Sequence, residues 1–198
     1  MLAVNLMYLP KITVMGFVSY GSPWKHFRRT TDEYLLYLVR SGDLHLRENG
    51  AEYHLRKGDM LLLEPGLEHE GTKKAVCDYY YIHFGHPDVE RVHIPDPVAF
   101  CRTFLLEHNR PRSDGQHGFE DEPAGDYLIY LPKHFRFSEK TNFPSALRTM
   151  NDILMLYKRK QYNRSLTALR FSEFLIDLSR DHLISEFALA SRSGARSL

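Results

Sequence analysis

Between about residue 11 and residue 95, apolar side chains come in short runs broken by turn residues. Lys11 to Tyr20 is one run, ended by Gly21-Ser22-Pro23, and Glu33 to Val39 is another, closed by Arg40-Ser41-Gly42-Asp43. Leu44 to Arg47 leads into Glu48-Asn49-Gly50, and Asn-Gly is the strongest short-range hairpin signal. Ala51 to Leu55, Met60 to Leu63 and Val76 to Phe84 continue the series. Strands about ten residues apart with such turns predict an all-β barrel or sandwich. Gly58 to His69 is the most informative stretch. Gly58 can take a positive φ, Asp59 can bond the turn's own backbone, and Met60 to Leu63 reads as a buried strand. Pro65-Gly66 then stops the ladder and leaves His69 at the head of the next element.

The pattern changes after that. Residues 108–126 are polar and rich in Pro, Gly and acidic side chains, which predicts an exposed, mobile loop; Tyr127 to Leu131 returns as a strand. In the last third the period becomes helical. Asn142 is the expected N-cap with Pro144 in the first turn, and Ala146, Leu147, Met150, Ile153, Leu154 and Tyr157 recur at three- and four-residue steps. A second helix is expected from near Ser165, with Leu166, Leu169, Phe171, Phe174, Leu175, Leu178 and Leu183 on its apolar side. Such stripes are either intramolecular core or a partner surface. A barrel cannot cover two helices on every side, so Leu154, Leu166, Leu169, Phe174, Leu175 and Leu178 are expected at a homodimer interface. The pattern divides the chain into a barrel over 11–131, a helical dimerisation segment over 142–185 and a linker or tail over 186–198, with residues 1–10 ahead of the barrel.

Charge narrows the partners. Lys plus Arg is 26 against 25 for Asp plus Glu, so nothing advertises nucleic acid or an anionic membrane. No run of eighteen apolar residues and no basic n-region with a cleavage site is present, so neither a membrane span nor a signal peptide is expected. Cys77 and Cys101 lack CxxC spacing and are expected as buried thiols in a reducing compartment, which places the chain in the cytoplasm.

The Gly-Asp to His69 stretch resembles the second motif of the cupin barrel, a double-stranded β-helix or jelly roll. Metal-binding cupins carry a first motif of two histidines and a glutamate ahead of a glycine. Gly42 matches that glycine, but the ligand positions, Phe27 to Thr30 and near Leu35, hold neither His nor Glu. His26 and Glu33 are close but out of step, and a one-residue slip turns a side chain to the other face. No metal and no other cofactor is therefore expected, and the spacing of the histidines shows no ligand cluster. In this region stand Trp24-Lys25-His26-Phe27-Arg28-Arg29 and then Asp32-Glu33-Tyr34, while Cys77-Asp78-Tyr79-Tyr80-Tyr81-Ile82-His83-Phe84 forms an aromatic strand. With Tyr130-Leu131-Pro132-Lys133 before two amphipathic helices, this order resembles the N-terminal effector-binding and dimerisation domain of AraC-type transcription regulators.

The resemblance covers about residues 10 to 185. It implies a mainly β, cupin-like barrel followed by two helices, with residues 1–10 as an N-terminal arm. It also implies a small polar effector in the barrel mouth, sugar-like, held by Arg28 or Arg29 with His69, Tyr79, Tyr81 and Trp24. Residue types allow this: a guanidinium presents a planar fork suited to vicinal hydroxyls or a carboxylate, and a phenol can stack and still hydrogen-bond. The plainer assignments are a turn-stabilising His69 and a core role for Tyr79 and Tyr81. The family's DNA-reading helix-turn-helix domain is not expected here, so DNA would be reached only through a segment outside this chain. No catalytic residue is expected. The alternatives are a metal-dependent cupin oxygenase or isomerase, and a stand-alone sugar-binding cupin.

Overall fold

The computed structural model describes residues 1–108, 127–159 and 164–194. In chain order the elements are β1 Leu2–Asn5, β2 Lys11–Ser19, β3 Tyr34–Glu48, β4 Ala51–Arg56, β5 Asp59–Leu63, β6 His69–Lys73, β7 Cys77–Gly85, β8 Val89–Arg91, α1 Pro97–His108, β9 Leu128–Leu131, β10 His134–Arg136, α2 Phe143–Lys158 and α3 Arg164–Gly194. They form two compact units: Leu9–Pro87 with Lys133–Phe174, and Met1–Tyr8 with Asp88–Pro132 and Leu175–Leu198. The mainly β class with C-terminal helices holds. The expected mobile loop lies almost entirely outside the described residues.

The larger unit is built on β3. The sequence suggested two strands parted by a turn at 40–43, yet β3 runs unbroken from Tyr34 to Glu48. Gly42 makes this possible. Its φ is +75°, and a Cβ there would collide with the Val76 carbonyl, so only glycine lets the strand bend past its neighbour. Before the bend β3 pairs with β5 and β7; after it, with β4 and β6. One antiparallel ladder runs β10-β5-β3-β7-β2. Inward residues from both halves of β3 (Leu35, Tyr37, Val39, Leu44 and Leu46) join Leu55, Leu61, Leu63, Cys77 and Tyr79 in a single apolar cluster. One strand feeding two sheets around one core is the cupin-like barrel. Its turns follow the sequence: Asn49 and Gly50 carry φ of 45° and 86° at the β3–β4 hairpin, and Asp59 Oδ2 accepts the Arg56 amide at 2.6 Å. Every residue of β5 is buried.

In α2 the cap differs from expectation. Asn142 is the N-cap but makes no side-chain cap bond; its Oδ1 instead accepts the Ser138 amide at 2.7 Å and closes the preceding turn. Phe143, Ala146, Met150, Ile153 and Leu154 form its buried face.

In the smaller unit β1 lies between β8 and β9, antiparallel to both. Residues 2–5 of the expected arm are thus a paired strand. Helix α1 was not anticipated, although its start is written in the sequence: Asp96 Oδ1 accepts the Val98 and Ala99 amides at 3.1 and 2.9 Å, with Pro97 opening the helix. Helix α3 continues to Gly194, past residue 186 where a tail was expected. Among the described residues no helix is long and apolar enough to cross a membrane.

Candidate functional site

The site lies within the larger unit, where residues 24–29 run beside β6. Trp24 and Ala75 exchange backbone hydrogen bonds at 3.0 and 2.9 Å, as do Arg29 and His69 at 2.9 Å each, and the Gly71 amide donates to the His26 carbonyl. The chain passes so close that a Cβ on Gly71 would sit 2.5 Å from the His26 nitrogen. The two bridges, Trp24 with Ala75 and Arg29 with His69, are one residue out of register with each other. This slip decides which arginine turns inward. Strict alternation from Trp24 and His26 would point Arg28 into the barrel, but Arg28 is exposed and pairs with Glu70 at 3.2 Å and Glu68 at 3.7 Å.

Arg29 turns in instead. Its Nε donates to His69 Nε2 at 3.2 Å, and its Nη2 lies 3.2 Å from His83 Nε2. The other ring nitrogen of His83 faces Glu33 at 3.4 Å. His26 contacts the Phe27 carbonyl through Nδ1 at 2.7 Å, which assigns the proton to Nδ1 and leaves Nε2 to accept the Tyr37 hydroxyl at 2.9 Å. His69 is 1% exposed. The Leu67 carbonyl stands near enough to favour a proton on this ring, yet Nδ1 has no partner of hydrogen-bonding geometry.

Electrostatics follow from burial beside a cation. Desolvation, then the neighbouring His26 and the Arg29 charge, hold the His69 pKa down at about 4. Burial also lowers His26, against the pull of its bond to the Phe27 carbonyl, and lowers His83 together with Arg29 and against Glu33. Burial raises the Tyr37 and Tyr79 phenols well above their ordinary range. At neutral pH the cluster is therefore one guanidinium among neutral imidazoles and protonated phenols. No carboxylate among the described residues pairs with Arg29 directly.

An aromatic wall continues from the cluster. Trp24 stacks on Tyr20 with centroids 4.5 Å apart, Tyr20 approaches Tyr79 at 6.4 Å, and Tyr79 meets Tyr37 edge-on at 5.4 Å. Tyr79 is buried within the apolar cluster, and Tyr81 packs against its edge. A Cβ on Gly16 would come within 2.6 Å of the Tyr81 ring, so that glycine makes room for the phenol.

Of the residues singled out from the sequence, Trp24, Arg29, His69, Tyr79 and Tyr81 share this region and Arg28 does not. The sequence reading missed His26, Glu33, Tyr37 and His83 as members. For His83 a signal existed: Tyr79, Tyr81 and His83 alternate along β7 and share a face. On the helices, Leu154, Phe174, Leu175 and Leu178 are buried within the chain, so they have no surface to offer a second copy; Leu166 and Leu169 are 45% and 52% exposed. The histidine spacing suggested no ligand cluster. The fold nevertheless brings Asp43, His45 and His54 together on the outer face of β3 and β4.

Residues 16–112 match the family model described as AraC-like ligand binding domain. Over 61 residues the chain is 38% identical to an HTH-type transcriptional regulator, YisR, of Bacillus subtilis (strain 168). That match takes in 30% of this chain and spans 21% of the relative's length. Among solved structures, a predicted oxalate decarboxylase from Thermotoga maritima is 14% identical, with 37% of this chain and 66% of that chain covered and a TM-score of 0.33. An RmlC-like cupin from Shewanella frigidimarina is 13% identical, with 40% and 77% covered and a TM-score of 0.32.

Proposed function

We propose, from the premise that residues 16–112 are an AraC-like ligand-binding domain, that the chain is the sensory part of a transcription regulator and takes a small hydroxylated carboxylate, such as a sugar acid, beside Arg29. The carrying observation is the charge imbalance at Arg29. A half-buried guanidinium whose partners are the neutral His69 and His83 rings, the Tyr37 hydroxyl and the face of Phe27 meets no negative charge among them, so it has unspent capacity for an anion, and its fork suits a carboxylate or vicinal hydroxyls. Tyr81 and the Trp24–Tyr20 stack then supply a hydroxyl and flat apolar faces for the rest of the ligand. A bound anion would lower the cost of keeping Arg29 desolvated, which gives the effector the differential affinity a switch requires.

Regulation would pass to a DNA reader through a dimer. The exposed Met155 and Leu166 lie with Asp152, Arg159 and Arg170 around a groove on α2 and the start of α3, and exposed Leu169 is three residues beyond Leu166 on the same helix. An apolar patch edged by both signs of charge is self-complementary, as a two-fold contact between identical copies needs. We read the chain as a sensor rather than an enzyme. A metal coordinated by His69 and His83 would first have to displace the guanidinium bonded to both.

The test is a thermal-shift screen against neutral sugars, sugar acids and simple carboxylates. A ligand at a hundred times its Kd adds about 2.7 kcal/mol. Stabilisation by an acid that is lost in Arg29→Gln supports the reading. No hit, or a hit unaffected by both Arg29→Gln and His69→Gln, overturns it.

A further inference from the structure

We infer that the β3–β4 hairpin carries a second site, for a divalent transition metal, made by Asp43, His45 and His54 on the outer face of the barrel. The three side chains offer one ligand atom each, all within 4.8 Å of one another. Backbone register puts them there. His45 and His54 are directly opposed across the antiparallel pair, and Asp43 is two residues before His45, so it projects from the same face. Leu44, Leu46 and Leu55 alternate with them into the core, which sends this trio outward and away from Arg29 and His69.

The donors are already drawn together. His54 Nε2 lies 2.6 Å from Asp43 Oδ1, and the two imidazole rings stack with centroids 4.2 Å apart and 13° between planes. A metal would take the place of the hydrogen shared by His54 and Asp43, with His45 swinging its ring toward the same point. Two imidazole nitrogens and one carboxylate oxygen suit Zn²⁺, Cu²⁺ or Ni²⁺, and nitrogen donors disfavour Ca²⁺ and Mg²⁺. Three protein donors leave coordination positions for water or another molecule. The bound ion would clip β3 to β4 outside the apolar cluster.

Two cations stand close. Arg56 Nε is 3.8 Å from Asp43 Oδ1 and its Nη2 is 3.4 Å from His54 Nδ1, while Lys73 is the partner of His45 on β6. They compete with a metal for the same electrons and weaken its binding. That competition supplies a discriminating variant, because removing Arg56 should help a metal and harm a mere ion pair.

The experiment titrates Zn²⁺ into the metal-free chain by calorimetry, with Co²⁺ absorbance reporting the ligand field and circular dichroism checking that each variant is folded. His45→Gln, His54→Gln and Asp43→Asn are each expected to weaken Zn²⁺ by roughly 10-fold or more, since even outer partners of a metal ligand carry that much. Arg56→Gln is expected to tighten it, and His93→Gln to leave it unchanged. Absence of binding, equal binding by all three ligand variants, or loss of binding in His69→Gln instead would overturn the assignment.

Discussion

Acidification should destabilise this fold through His69, and the size of the effect can be worked from its surroundings. The side chain is 1% exposed, hydrogen-bonded by Arg29 at Nε2, and 5.4 Å from His26 between ring centres. Protonating it would place a buried charge beside the half-buried guanidinium. Desolvation and those neighbours bring its pKa from 6.5 to about 4. The unfolded chain binds this proton below 6.5 and the folded chain does not until about 4, so stability rises with pH across that interval. The contribution is complete above 6.5 and is lost as pH falls through the window to about 4. At 1.36 kcal/mol per pH unit the loss is about 3 kcal/mol. Urea unfolding at a series of pH values, for the parent chain and for His69→Gln, measures it. Gln is neutral throughout and can still accept from Arg29. The variant should lose close to one proton's worth of slope between pH 6.5 and about 4, while His26, His83 and the carboxylates titrate in both proteins. Identical pH profiles would refute a buried, neutral His69.

Other expected outcomes follow from the same geometry. Arg29→Gln should weaken an anionic effector by roughly 10-fold or more, the worth of a charge-assisted bond, whereas exposed Arg28→Gln should stay within about twofold; calorimetry with the effector from the screen separates them. Gly16→Ala should cost about 1–3 kcal/mol in denaturant unfolding and displace the Tyr81 ring, because its Cβ meets that ring at 2.6 Å. Leu169→Glu, at a position 52% exposed, should give a folded monomer in sedimentation; Leu178→Glu, at a position 0% exposed, should unfold the chain instead. A Leu169→Glu protein that remains dimeric would remove the α2–α3 face from the proposed contact.

What the sequence by itself determined was local. Asn49-Gly50 specified a hairpin because few residues accept positive φ twice in succession, and Gly58-Asp59 specified its turn because a carboxylate can bond an amide three residues back. The apolar run Met60 to Leu63 within β5 announced a strand buried on both faces, and the three-to-four spacing in α2 announced a helix with one apolar side. Each of these signals is spent within a few residues of itself. The site was decided at longer range. Arg28 and Arg29 are equivalent as letters, and only the slip between the Trp24 and Arg29 bridges turned one inward and the other toward Glu70. Gly42 read as a turn, but the nearby Val76 backbone made it a bend within one strand, and that strand delivers Tyr37 to the inner cluster and His45 to the outer one. His26, His69 and His83 are distant in sequence and meet only because residues 24–29, β6 and β7 are brought beside one another. A side chain's face depends on its partner's register, and register belongs to the sheet as a whole.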